Sequence, residues 1–177
     1  MHIQQMAFFK SVRDRYPDYF NKASVLDVGS LDINGCNKPL FTGCQYYGMD
    51  IGPGKNVNII APVHLSGFPA GYFDTIISGE CFEHDLHFID SIKEIVRILR
   101  PGGLFAMTCA TGRRAEHGTK RRGPNNSPLT VIIEAWQDFY QNRTAEDFEE
   151  IPEFSQMEGV FSVERGNKDL YYYGIKK

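Results

Sequence analysis

The sequence predicts an α/β fold, a mostly parallel sheet finished by an antiparallel hairpin, and three observations carry that expectation. Short apolar runs suited to buried strands recur at Ser24 to Gly29, Tyr46 to Asp50, Val57 to Ile60, Phe73 to Ser78 and Leu104 to Thr108. An amphipathic stretch, Phe88 to Leu99, separates the last two, so strand and crossover alternate as parallel connections require. The alternation then stops: Gly159 to Arg165 and Leu170 to Lys176 are strand-like and joined only by Gly166-Asn167-Lys168-Asp169, which reads as a hairpin.

Bulk properties narrow the function classes. A chain of 177 residues suffices for one domain, 1–177, with its own core. Hydrophobic residues make up 42% and charged residues 23%, ordinary for a globular protein. A net charge of -3 argues against a general nucleic-acid binder, which carries a basic excess. Cys36, Cys44, Cys81 and Cys109 form no C-x-x-C pair, and reduced thiols in a cytoplasmic protein are expected. No apolar run approaches 20 residues and no secretory signal is evident, so no membrane association is expected. Oligomeric state is not encoded in any pattern we find.

Taken in order, Ile3, Met6, Phe9, Val12 and Tyr16 trace a helical stripe that Pro17 ends, giving an N-terminal helix within 1–20 that covers the sheet. Ser24 to Gly29 is a strand delivering its carboxyl end to a ligand, and Gly29 permits close backbone approach. The next strand ends in Asp50, 21 residues beyond Gly29. A carboxylate at that strand tip suits two vicinal ribose hydroxyls, which points to an adenosine-type ligand. Ala61-Pro62 closes the third strand. In Phe88 to Leu99, Phe88, Ile92, Ile95 and Leu99, with Ile89 and Val96, form the apolar face, and Pro101-Gly102-Gly103 ends the helix. Leu129 to Tyr140 is read as a helix, and Thr144 to Ile151 as a short one capped by Thr144 with Asp147 at the third position.

These residues resemble class I S-adenosylmethionine-dependent methyltransferases from Ser24 through Ala110. VLDVGSLDING is similar to the first motif, FDTIISGECFEH to the fourth-strand segment, and ILRPGGLFAMT to the entry into the fifth strand. A narrower likeness, to a methyltransferase type 11-like bacterial subgroup whose first motif ends in S-L-D-x-N-G, supplies no substrate. The resemblance implies a Rossmann-like, mostly parallel seven-stranded sheet with helices on both faces and a C-terminal antiparallel hairpin. It implies S-adenosylmethionine as cofactor, with Asp27, Gly29 and Ser30 around its methionine end. Asp50 would take the ribose hydroxyls with Ile51 beside it, and Glu80 and Cys81 would line the floor near the sulfonium. Leu31 and Ile33 stand where the usual motif has further glycines. Pro62 stands where many members have an acid for adenine, which leaves adenine to the Val63 backbone and to apolar packing.

The catalytic half is less legible. Segment 111–128 follows the fifth strand and is expected to be a mobile active-site loop. Arg113 and Arg114 are its candidates for binding an anionic small molecule such as a phosphate, carboxylate or acidic sugar. His117 is its best general base. His84 is the second catalytic candidate and would stand at the mouth of the site, where family members often carry Glu-His. The run Glu83-His84-Asp85-x-His87 invites a metal, but its histidines are three apart with no further cluster to complete the coordination, so no metal is expected. The expected reaction is methyl transfer to an oxygen or nitrogen of a small molecule. Two rivals are a non-catalytic binding module on the same fold and an NAD-dependent oxidoreductase, whose G-x-G-x-x-G the first loop lacks.

Overall fold

A computed structural model describes residues 2–177. Helix α1 (Ile3–Arg15) precedes strands β1 (Ser24–Val28), β2 (Gln45–Asp50), β3 (Ile59–Ile60) and β4 (Phe73–Gly79). Helix α2 (Phe88–Ile98) leads into β5 (Leu99–Ala110), and a long segment containing α3 (Ala145–Glu149) connects to β6 (Met157–Glu164) and β7 (Asp169–Lys176). All seven strands form one sheet in the order β3-β2-β1-β4-β5-β7-β6. The pairs β2/β3, β1/β2, β1/β4 and β4/β5 are parallel, while β5/β7 and β6/β7 are antiparallel. The chain runs outward from β1 to β3 and then returns to β4 on the other side of β1. That reversal opens a crevice at the carboxyl ends of β1 and β4, where open α/β sheets bind ligands.

The central strands are buried on both faces, so adjacent residues serve opposite cores. Leu26, Val28, Ile76, Phe105 and Met107 pack with Phe88, Ile92, Ile95 and Val96 of α2 and with Phe148 of α3. Ile77, Leu104 and Ala106 face the other way, against Phe9 and Val12 of α1 and against Phe20 and Leu40. Helices therefore cover both faces as expected. Arg143 fastens the long segment to this core. Its guanidinium lies 4.0 Å from the Phe88 ring centroid and donates to the carbonyls of Phe82 (3.0 Å) and Asp85 (3.1 Å).

Several elements differ from expectation, each for a physical reason. The buried face of α1 is Gln5, Phe9 and Val12, an i, i+4, i+7 set, and Ile3 is 84% exposed. Ile89 likewise sits outside the buried stripe of α2. Pro101-Gly102-Gly103 does not lie between helix and strand. β5 already begins at Leu99, and these residues form an irregularity where the register jumps from Phe73↔Leu99 to Thr75↔Leu104. Gly102, at φ +72°, supplies the left-handed conformation that the kink needs. Leu129 to Tyr140 forms no α-helix, only a 3-10 turn at Thr130–Ile132 and further turns. The β-branched run from Thr130 to Ile133 is a poor helix former. Its neighbours' backbone groups are also used elsewhere: Lys120 N–H donates to the Gln137 carbonyl, and Gln141 N–H to that of Glu83. The Thr144 cap is present, with Asp147 N–H donating to Thr144 Oγ1 and Thr144 N–H to Asp147 Oδ2.

Candidate active site

The crevice contains a cavity of about 280 Å³ walled by the tips of β1, β2 and β4, the start of α1, and residues 126–130 of the long segment. Its floor begins at Gly29. Gly29 and Ser30 N–H groups both donate to the Met49 carbonyl, at 2.9 and 3.1 Å, which folds the loop after β1 back onto β2. Gly29 has φ +73°, and a Cβ there would lie 2.8 Å from Cys81 Cβ and Sγ. Only glycine lets these two loops meet.

Two acids stand at the strand tips. Asp50 accepts hydrogen bonds from Leu31 N–H (3.0 Å, Oδ2) and Ile51 N–H (2.8 Å, Oδ1). Burial raises its pKa, and the two amides oppose that shift. Asp27 is buried and accepts from the Tyr46 hydroxyl and from Asn56 Nδ2 (3.4 Å). Desolvation pushes its carboxyl up to about 7, against the lowering effect of the Tyr46 hydrogen bond.

The loop after β4 carries two more acids with opposite surroundings. Glu80 and Asp169 share the Arg114 guanidinium, whose Nη1 lies 2.5 Å from Asp169 Oδ1, and His2 Nε2 approaches the other Asp169 oxygen at 2.9 Å. Glu83 has no solvent exposure, and neither carboxylate oxygen has a hydrogen-bond donor. His117 Nε2 lies 3.9 Å from Glu83 Oε1, while His117 Nδ1 is 3.1 Å from the Ala115 carbonyl. Since a carbonyl only accepts, that contact puts the proton of a neutral ring on Nδ1 and leaves Nε2 bare. His84 is 5% exposed with Nδ1 unpartnered, and its ring stands perpendicular to that of His117 at 5.3 Å. Burial, with His117 and Arg114 nearby, lowers its pKa to about 3.

Of the residues singled out in the sequence, Asp27, Gly29, Ser30, Asp50, Ile51, Glu80, Cys81, His84, Arg114 and His117 all border this cavity. Two do not. The Val63 side chain packs in the core under α2 and does not line the cavity, which leaves the expected role of its backbone untouched. Arg113 is exposed and, at φ +64°, belongs to a turn facing solvent. Arg114 does border the cavity, but two carboxylates already engage it, which removes the argument for an anion at that guanidinium. The histidine spacing also misled: His87 leaves the site and stacks on His64 at 4.2 Å, while His117 arrives from the next loop to join Glu83 and His84. Sequence reasoning missed Gln5 and Asn37, which border the cavity with Gln5 Nε2 and Asn37 Oδ1 buried and unpartnered. Neither carried a signal, and Gln5 lies off the apolar stripe we drew. Among the described residues, no helix is long and apolar enough to cross a membrane.

The sheet order and the site at its reversal define a Rossmann-like nucleotide-cofactor fold. Comparison with known proteins agrees. Residues 26–107, a little under half of the chain, match the family model described as a methyltransferase domain. Among solved structures, a Burkholderia thailandensis 1,6-didemethyltoxoflavin-N1-methyltransferase, bound to 1,6-didemethyltoxoflavin and S-adenosylhomocysteine, is similar at 15% identity and TM-score 0.63. The alignment covers 97% of this chain and 78% of that one. A putative sarcosine dimethylglycine methyltransferase from Galdieria sulphuraria aligns at 14% identity and TM-score 0.64, over 98% and 84% of the two chains. A Haemonchus contortus phosphoethanolamine N-methyltransferase 2 in complex with S-adenosyl-L-methionine aligns at 15% and 0.63, over 94% of this chain but 51% of its own. No curated protein sequence matches the chain. The central part of the chain is thus similar to a methyltransferase domain, and its fold is that of solved proteins crystallised with S-adenosylmethionine or S-adenosylhomocysteine.

Proposed function

We propose that this chain transfers a methyl group from S-adenosylmethionine to an oxygen or nitrogen of a small uncharged or cationic molecule bound in the cavity. Asp50 carries the reading. Its carboxylate is oriented by two backbone N–H groups at a strand tip, yet an ionised carboxylate accepts about four hydrogen bonds. The remaining acceptor positions suit the two hydroxyls of a ribose. Gln5 Nε2, a buried donor without a partner, suits the cofactor's carboxylate, so the residues present fit the cofactor.

The cofactor supplies an electrophilic methyl group on a sulfonium, and the chain supplies alignment and exclusion of water. Gly29 and Ser30 bring backbone close to the methionine end, with Asp27 behind them. Ile51 and Leu129, both on the cavity wall, offer apolar faces for adenine. Glu80 and Cys81 line the floor. His117 is the candidate general base: desolvation lowers its pKa, so it is neutral near pH 7 and its bare Nε2 can take a proton. His84 positions that ring. The segment through residues 126–130 closes the cavity and serves as its lid.

Charge decides the acceptor class. Asp50 and Glu80, with Asp27 partly ionised near pH 7, border the cavity against the guanidinium of Arg114, which is itself paired. That field favours a cation or a neutral group over an anion. Isothermal calorimetry with S-adenosylhomocysteine tests the cofactor site. The wild-type chain is expected to bind it, and Asp50→Ala to weaken binding about 30-fold, the equivalent of about 2 kcal/mol for hydrogen bonds to a charged group. Binding of NAD without S-adenosylhomocysteine would overturn the proposal.

A further inference from the structure

We propose that Glu83, His84 and His117 bind one divalent transition-metal ion of the zinc type in the wall of the cavity. This inference does not rest on the identity of the methyl acceptor. One ligand atom from each residue lies within 4.8 Å of the others. Two imidazoles and one carboxylate form a zinc-type set that leaves a position open. Ligands about 2.0–2.1 Å from a tetrahedral ion are about 3.3 Å apart, so the 3.9 Å between His117 Nε2 and Glu83 Oε1 must contract slightly, and the His84 ring must shift with it where its separation approaches the 4.8 Å limit.

Three observations point to a cation there. First, Glu83 is fully buried with both oxygens unpartnered, a state that is costly for an ionised group. Second, the Ala115 carbonyl holds His117 Nδ1–H, so a bare Nε2 lone pair faces a bare carboxylate. A carbonyl on the far nitrogen is how proteins orient a metal-ligating histidine. Third, the nearest arginines are committed elsewhere, Arg114 to Glu80 and Asp169, and Arg143 to the carbonyls of Phe82 and Asp85. The sister cluster His2–Glu80–Asp169 has comparable geometry, but the Arg114 guanidinium already fills it.

The site is also rigid and open on one side. A Cβ at Gly118 would stand 2.5 Å from His84 Cε1, so this glycine lets the loop backbone press against that ring. His84 and His117 border the cavity and Glu83 lies behind them, so the fourth position faces the cavity. With the ion bound, His117 Nε2 is a ligand and no longer a base, and the fourth position would take water or the heteroatom of the acceptor, whose proton the ion makes easier to remove.

The test uses the full chain, stripped with a chelator, dialysed, and titrated with zinc chloride by calorimetry. One equivalent of zinc should bind, and Co²⁺ in its place should show the visible bands of a four-coordinate ion. His117→Ala and Glu83→Gln should each weaken zinc binding about 100-fold or more. S-adenosylhomocysteine binding, measured on the same samples, reports that the variants are folded. His64→Ala, which breaks the surface pair with His87, should leave the stoichiometry unchanged. No zinc uptake, or less than a tenfold change in both site variants, would overturn the site and assign a proton to Glu83. Loss of zinc in His64→Ala would overturn it as well, by placing the ion on the surface pair. Zinc binding without S-adenosylhomocysteine binding would spare this inference and sink the methyl-transfer reading, and the reverse result would do the opposite.

Discussion

Glu80 and Glu83 leave the same strand on the same loop, yet the fold treats them in opposite ways. Glu80 is met by Arg114, which also reaches Asp169, so one guanidinium serves two carboxylates in the cavity wall. Glu83 goes deeper and meets two imidazoles, neither of which donates to it. A satisfied ion cluster of this kind serves architecture: it ties the β4 loop to β7 and to the loop after β5. An unsatisfied acid buried this deeply is a demand for a ligand or a proton. Asp27 is a third solution, a buried carboxyl held by a phenol and an amide with no cation at all.

The largest effect should come from breaking the satisfied cluster. Arg114→Ala leaves Asp169, wholly buried, without its cation and should destabilise the chain by about 3–5 kcal/mol in urea unfolding. Burial pushes the Glu83 carboxyl well above the usual carboxylate range, so Glu83→Gln in chelator-treated protein swaps one neutral buried group for another and should be near neutral in the same assay. Equal losses in both variants would erase the contrast.

The third acid gives a pH signature. Because the folded-state pKa of Asp27 is raised from 3.8 to about 7, its contribution to stability is fully present below about pH 4 and is lost as pH rises through 7. The swing is on the order of 2–4 kcal/mol, and Asp27→Asn should flatten the stability profile between pH 4 and 8. A profile with the same slope in the variant would show that the phenol and amide hold the carboxylate better than its burial penalises it. The smallest effect belongs to Arg113→Ala, at an exposed turn, which should change stability by less than about 0.5 kcal/mol and leave S-adenosylhomocysteine affinity unchanged. A large loss of binding there would return the loop arginines to the site.

Much of the cofactor half was legible because its signals are local. The apolar run before Gly29, the acid at Asp50 and the Thr144–Asp147 cap each act within a few residues of themselves, and each stands where the pattern put it. The Leu129 to Tyr140 helix failed because helical spacing of apolar residues says nothing about where a segment's backbone donors are spent. Lys120 and Glu83, distant in the chain, hold its carboxyl-terminal side through Gln137 and Gln141. The direction of the Val63 side chain was not legible either, since its placement next to Pro62 gave no indication of which way a 3-10 turn would rotate it.

By itself the sequence determined the alternation of strand and crossover, the terminal hairpin, and hence the crevice where β1 and β4 part. Those follow from periodicity, turn residues and the handedness of connections, which are properties of neighbouring residues. Only the tertiary structure decided which charges meet. It set Arg114 on Glu80 rather than on an acceptor, brought Gln5 of α1 to the cavity, and faced His117 toward Glu83. Burial and through-space distance settle such pairings, and neither is written in the spacing of residues along the chain.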